Sequence, residues 1–91
     1  MSAASDRHLA RIHELPCCLC GAMPVEAHHI KDGRTFGKRD KLHFCTIPVC
    51  RSCHQGSKGL HGDGTMLRIA KKSELELLSE TLEALYGRLA A

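Results

Sequence analysis

The sequence predicts a small α+β domain that needs a cross-link in addition to its hydrophobic core. The chain has 91 residues, of which only 3% are aromatic, so the core must be aliphatic and thin. Domains of this size usually add disulfides or a metal ion. Six cysteines and seven histidines supply the groups for either solution. Helical patterns at both ends flank a turn-rich middle with short β-type runs, which predicts the mixed class.

The N-terminal segment predicts a short helix. It would begin with Ser5 as its N-cap and end at Leu15, before Pro16. Leu9 and Ile12 would then share the face that packs on the domain.

The middle of the chain predicts strands and a loop. Glycines and prolines punctuate residues 17 to 44, where only short β-type segments fit. The apolar run "FCTIPV" predicts a strand that ends at Pro48. The segment "GSKGLHGDG" has four glycines in nine residues and predicts a loop.

The C-terminal segment predicts a longer helix. Ser73 and Glu76 form the pattern of a capping box. Leucines follow at spacings of three and four: Leu75, Leu78, Leu82, Leu85 and Leu89. This stripe either packs on the small core or forms a dimeric coiled coil, although just over two heptads is short for one. The monomeric and dimeric states both stay open.

Compartment and charge give only broad expectations. The N-terminus has no apolar signal region, and no stretch approaches the ~20 apolar residues of a membrane span. We therefore expect no membrane partner and a cytoplasmic location, where thiols stay reduced and metal is favoured over disulfides. A formal charge of +3 is compatible with nucleic acid but weak evidence for it. Basic residues do bunch in one segment, as a solvated loop or a phosphate-binding surface: Lys31, Arg34, Lys38, Arg39 and Lys41.

The cysteines carry the strongest local signal. Two CxxC pairs about thirty residues apart are typical of a tetrahedral zinc site: Cys17 with Cys20, and Cys50 with Cys53. Four thiolates fill the coordination sphere of zinc, so this site is structural and has no open position for chemistry.

Two alternatives to that ligand set stay open. Cys18 would replace Cys17 in one of them, and His54 would join Cys53 in the other. In the plain four-cysteine arrangement, Cys18 and Cys45 are left over and are expected to be small buried apolar residues.

The histidines fall into two groups. His8 and His13 lie in the first predicted helix and are expected to be surface residues. The other five lie in or beside the zinc-braced segment: His28, His29, His43, His54 and His61.

The pair in "EAHHI" indicates two separate tasks, because adjacent residues of a strand point to opposite faces. His28 can join His54, with His61 or solvent, around one divalent cation. His29 can then accept a proton from water, since neutral imidazole has a suitable pKa near pH 7. Phosphodiester hydrolysis requires such a base and such a metal.

With "CCLCG", "EAHHI", "IPVCRSCHQG" and "LHGDG", the chain resembles HNH endonucleases of the ββα-metal type braced by a zinc ribbon. More narrowly, it resembles small phage and prophage HNH proteins related to the phage recombination-enhancement nuclease. The likeness extends from about His8 to the "SELELLSETL" helix. It implies one domain over residues 1–91, with a zinc-braced metal-site core at about 17–62, a metal-site helix starting near Cys53 and a C-terminal helix at 73–90.

The resemblance also implies roles for single residues. The general base falls on His29, and the metal ligands fall on His28 and His54, with His61 as an additional ligand. The middle position of the motif, usually Asn, falls on His43 and makes this chain an HHH variant.

Asp40 is a second candidate for that middle position. An imidazole at position 43 can hydrogen-bond as the usual amide does, but it can also take up a proton or bind metal. The departure therefore bears on how the base is oriented.

The implied activity is metal-dependent hydrolysis of DNA phosphodiester bonds, in the cytoplasm of a bacterial host for a phage-encoded protein. The implied cofactors are a structural Zn2+ and a catalytic Mg2+ or Mn2+, although imidazole ligands also suit Zn2+ and Ni2+. The implied partners are DNA, through the basic segment, and recombination proteins. The alternative from another class is a non-catalytic zinc-ribbon module for DNA binding or protein interaction. The preference for a DNA structure or sequence stays open.

Overall fold

The computed structural model describes residues 2–31 and 42–87. These residues form a small α+β domain with four helices and one antiparallel two-stranded sheet, as the sequence predicts for the fold class. In chain order the elements are α1 (Ala3–Ile12), β1 (Val25–His29), β2 (Thr46–Cys50), α2 (Arg51–Gln55), α3 (Thr65–Ala70) and α4 (Glu74–Tyr86). Within this part of the chain, no helix is both long enough and apolar enough to cross a membrane.

Helix α1 begins and ends earlier than predicted. Ser2 is its N-cap, and Ser5 is the third helical residue of a capping box rather than the cap. The hydroxyl of Ser2 accepts from the Ser5 amide at 3.1 Å, and the hydroxyl of Ser5 accepts from the Ser2 amide at 3.1 Å. The helix ends at Ile12 with His13 as its C-cap, so the predicted end at Leu15 was wrong. Both caps satisfy amides or carbonyls that would otherwise lack partners.

The sheet pairs β1 with β2 over their full length, from Val25 opposite Cys50 to His29 opposite Thr46. Strand β2 does not end at Pro48, as the sequence predicted, but continues to Cys50. The carbonyl of Pro48 accepts from the Cys18 amide, on the edge of β2 away from β1. Because a strand residue directs its N and C=O to the same edge, the missing N–H of Pro48 costs no bond between the strands.

Helix α4 packs on the sheet through only part of the predicted leucine stripe. Its capping box between Ser73 and Glu76 is confirmed. Leu77 is completely buried and Leu78 nearly so, whereas Leu75 is 53% exposed. The buried face of α4 is thus rotated relative to the stripe, and the prediction for Leu75 was wrong. Leu82 and Leu85 are half-buried, and Leu89 lies outside the described residues.

A short helix and a tight loop follow β2. Helix α2 begins at Arg51, two positions before the predicted start near Cys53, and has only five residues. The predicted loop over residues 56–64 is confirmed, and it leads into α3, which the sequence analysis did not predict. A Cβ atom at Gly59 would lie 2.4 Å from the carbonyl oxygen of Cys53, so the loop returns onto α2 more closely than another residue allows.

Candidate metal sites

The four predicted cysteines lie together. Their sulfur atoms are all within 4.8 Å of one another, in a group that could hold a metal ion: Cys17, Cys20, Cys50 and Cys53. The Cys20 and Cys50 sulfurs are 3.5 Å apart. Two thiolate sulfurs on one tetrahedral zinc ion lie about 3.8 Å apart, which is close to this distance. The grouping of these four residues, and therefore room for a metal such as zinc, is confirmed.

The adjacent thiols of Cys17 and Cys18 differ in acidity. Burial disfavours the thiolate of Cys17, but backbone N–H groups of Cys50, Cys20 and Leu19 outweigh it and lower the pKa of Cys17 to about 7. Burial raises the pKa of Cys18 to about 12. Since metals bind the thiolate, this difference favours Cys17 as the ligand and disfavours the alternative with Cys18.

The raised pKa of Cys53 also agrees with a metal site made of these four cysteines. Burial, together with the hydrogen bonds that the Cys53 thiol donates to the Cys50 and Cys20 sulfurs, raises the pKa of Cys53. A divalent cation offsets such crowding of negative charge, as four-cysteine zinc sites require. Cys18 and Cys45 pack against the core but are half-buried rather than buried, so their predicted burial was only partly right.

A second group consists of His28, His54 and His61, each of which has a ring nitrogen within 4.8 Å of those of the other two. His28 comes from β1 and His54 from α2, and both are at least nine-tenths buried. His61 is exposed at the loop surface, and its amide donates to the carbonyl of His54 at 2.9 Å. The three-histidine grouping agrees with the prediction, while the alternative of His54 beside Cys53 in a mixed site is not what the structure shows.

The spacing within this group suits a metal. The Nδ1 atom of His28 is 3.1 Å from the Nε2 atom of His54. Two imidazole nitrogens on one tetrahedral zinc ion lie about 3.3 Å apart, so only a small adjustment is needed. Burial, and then the electrostatic influence of the neighbouring histidines, lowers the pKa of His61 and favours the neutral form that binds metals.

Two carboxylates that the sequence analysis missed contact the buried histidines from outside the group. His28 Nε2 is 2.5 Å from Glu74 Oε2, and His54 Nδ1 is 2.8 Å from Glu26 Oε1. The hydrogen bond from His54 holds the pKa of Glu26 below its usual value. Carboxylates placed behind histidine ligands are the usual outer partners of protein metal sites.

Only one of these carboxylates had a signal in the sequence. Glu26 lies two positions before His28, so a strand directs both side chains to the same face. Glu74 has no such signal, because only the docking of α4 brings it to His28 across 46 positions of the chain.

His29 lies outside the three-histidine group and contacts His43. Its Nε2 atom is 3.1 Å from the Nδ1 atom of His43. His43 precedes β2, and the hydroxyl of Thr46 donates to its carbonyl at 3.0 Å. The structure thus places the predicted base beside the predicted middle residue of the motif. Asp40, the other candidate for that position, lies outside the described residues.

The basic segment can be followed only at its start. Lys31 directly follows Ile30, its side chain is exposed, and its positive charge contributes to the lowered pKa of His61. The other members of the predicted phosphate-binding set lie outside the described residues: Arg34, Lys38, Arg39 and Lys41.

His8 is not the surface residue that the sequence predicted. Its side chain is 1% exposed, and its Nδ1 atom is 2.7 Å from the hydroxyl of Tyr86 on α4. The ring also packs against Phe44, with centroids 4.9 Å apart. The prediction was wrong because the apolar face of α1 includes this position once α4 covers it. His13 is exposed, as predicted, and its Nδ1 atom bonds the carbonyl of Val25.

Comparison of the chain with protein-family models, with curated proteins and with solved structures gave no match. A function for the two groups of ligands therefore has to be inferred from their own chemistry.

Proposed function

We propose that this protein is a metal-dependent endonuclease of the HNH, or ββα-metal, type that hydrolyses DNA phosphodiester bonds. The observation that carries the proposal is that the two adjacent histidines at the end of β1 have different partners. His28 belongs to the three-histidine group, and its neighbour His29 contacts His43 instead. Metal-dependent hydrolysis of the proposed kind uses both a metal and a separate base, and this strand end supplies residues for each.

The cysteine group has the structural role in this proposal. A zinc ion on Cys17, Cys20, Cys50 and Cys53 has no open coordination position. It would connect the turn after α1 to the junction of β2 and α2. Cys53 directly precedes His54 in α2, so the structural metal would brace the site without taking part in chemistry.

The histidine group has the catalytic role. Three protein ligands leave coordination positions for water or substrate, which is typical of catalytic rather than structural sites. His61 is exposed, so the group opens toward solvent at this ligand. When bound there, a divalent cation supplies charge stabilisation for the phosphate and the leaving 3′ oxygen. The resemblance favours Mg2+ or Mn2+, and three imidazoles also suit Zn2+ or Ni2+.

The proton chemistry falls to His29. As a half-buried imidazole at the end of a strand, it would accept the proton of the attacking water. The contact with His43 restricts the orientation of its ring. Lys31, exposed beside the histidine group, would contact a backbone phosphate, which positions DNA without reading its sequence.

Nicking of supercoiled plasmid tests the proposal. Circular dichroism and zinc analysis would first show that wild type, His29→Ala and the control His13→Ala are folded and zinc-loaded. The three proteins would then be assayed with Mg2+, Mn2+ or EDTA. We expect nicking that requires added metal, falls by about 100-fold or more in His29→Ala, and persists in His13→Ala. A folded, zinc-loaded wild type that binds DNA but never nicks it would contradict the proposal and favour the non-catalytic module.

A further inference from the structure

We infer that Glu74 is a positioning residue for the second metal: it holds the proton of His28 on Nε2 and so presents Nδ1 to the ion. The inference rests on the proposed function for the presence of that metal. His28 links Glu74 to the three-histidine group, because its ring contacts Glu74 through Nε2 and His54 through Nδ1.

The choice of tautomer follows from the chemistry of the two contacts. An ionised carboxylate only accepts hydrogen bonds, so the short contact with Glu74 Oε2 requires an N–H on His28 Nε2. A neutral imidazole carries one N–H, which leaves the lone pair of Nδ1 directed at His54. Glu26 accepts from His54 Nδ1 in the same way and leaves the lone pair of His54 Nε2 directed at His28. Two lone pairs 3.1 Å apart repel each other, and a cation that both can ligate removes the repulsion.

The position of Glu74 in the fold suits an ionised carboxylate. It is the first residue of α4, a helix of 13 residues, where the amide dipoles favour negative charge. Its side chain is buried, with the residue 8% exposed, so its hydrogen bond with His28 is shielded from water.

Both oxygens of Glu74 have partners. While Oε2 contacts His28, Oε1 accepts from the backbone amide of Lys31 at 2.9 Å. The carboxylate therefore cannot rotate without breaking one of these bonds. It also ties the start of α4 to the backbone of Lys31, the residue that begins the basic segment.

The inference separates Glu74 from other glutamates of α4. Glu83 lies on the same helix, is exposed, and has no contact with His28. Glu83→Gln therefore removes the same charge from the same helix and serves as a matched control. Glu74→Asp keeps a carboxylate on a shorter side chain and serves as the conservative variant.

Two measurements test the role of Glu74, and neither depends on nuclease activity. The first is a calorimetric titration with Ni2+ of protein that already holds one zinc. We expect Glu74→Gln to weaken binding of the second metal by about 10- to 100-fold, while Glu83→Gln binds as wild type does. The second is the tautomer of His28 in 15N-labelled protein without the second metal. We expect Nε2–H in wild type and in Glu83→Gln, a mixture in Glu74→Gln, and partial recovery in Glu74→Asp.

The outcomes separate the possible failures. A Glu74→Gln protein with wild-type Ni2+ affinity and an unchanged His28 tautomer would overturn the inference, even if its melting temperature fell, because that pattern means support of α4 only. A wild type that takes up no second metal would overturn both the inference and the proposed function. A wild type that binds the second metal but does not nick DNA would overturn the proposed function and leave the role of Glu74 supported.

Discussion

His29 and His43 are in contact at the end of the sheet where β1 ends and β2 begins, with His29 Nε2 3.1 Å from His43 Nδ1. His29 is the last residue of β1 and pairs with Thr46, the first residue of β2. The hydroxyl of Thr46 donates to the carbonyl of His43, so the chain that enters β2 is anchored to the sheet. An imidazole held in this way restricts the ring beside it.

The first prediction concerns that contact. Because an amide can also hydrogen-bond to imidazole, His43→Asn should keep most of the nicking activity. His43→Ala should lower the nicking rate by about 100-fold, the cost of a catalytic group that is no longer held in place. Single-turnover nicking of plasmid, with equal zinc content in all proteins, measures both effects. Equal rates for wild type and His43→Ala would mean that His43 has no part in orienting His29.

The second prediction concerns the cysteine group. Cys50→Ala should lose zinc and cooperative thermal unfolding together, since structural zinc sites contribute on the order of 10 kcal/mol to the folded state. Cys18→Ala is the control: its thiol, with a pKa raised by burial, should not bind the metal, and the variant should keep one zinc per chain. Zinc analysis and circular dichroism melts measure these properties. Loss of zinc from Cys18→Ala, with zinc retained in Cys50→Ala, would reverse the assignment.

The third prediction concerns the face that α4 buries. Leu77 is completely buried, so Leu77→Ala should lower the free energy of unfolding by about 2–5 kcal/mol. Leu75 is mostly exposed, and Leu75→Ala should change it by no more than about 0.5 kcal/mol. Urea unfolding in the presence of zinc measures both variants. A large loss in Leu75→Ala that grows with protein concentration would instead indicate a dimer through the leucine stripe.

The fourth prediction concerns His8 and pH. Burial, and then the positive charge of Arg11, lowers the pKa of His8 below its ordinary value of 6.5. The unfolded chain therefore binds a proton at this position before the folded chain does. Buried neutral His8 therefore makes its full contribution to the free energy of unfolding above pH 6.5. This contribution is lost as the pH falls from 6.5 through the lowered pKa of His8.

Comparison with His8→Phe isolates this effect. The variant loses the bond to Tyr86 and should be less stable at neutral pH, but it has no group to protonate at this position. Between about pH 7.5 and 5.5, wild type should therefore lose more of its melting temperature than His8→Phe does. Parallel pH profiles for the two zinc-loaded proteins would contradict the prediction.

The features that could be predicted from the sequence are local or periodic. Two CxxC pairs are recognisable because each knuckle is a short turn with fixed spacing. The capping box of α4 depends on two residues three positions apart, and the separation of His28 from His29 depends only on the alternation of a strand. For these features, nearby backbone geometry is sufficient.

The errors and omissions concern contacts between distant elements. The partner of His8 is 78 positions away, and the carboxylate behind His28 is 46 positions away. The same docking of α4 selects Leu77 rather than Leu75 for the core. Spacing along a chain does not specify how a helix rotates when it packs, because that rotation is decided by which side chains fill the space above the sheet. The sequence by itself therefore determined which residues can serve as ligands, and the tertiary structure decided which carboxylates hold them in place.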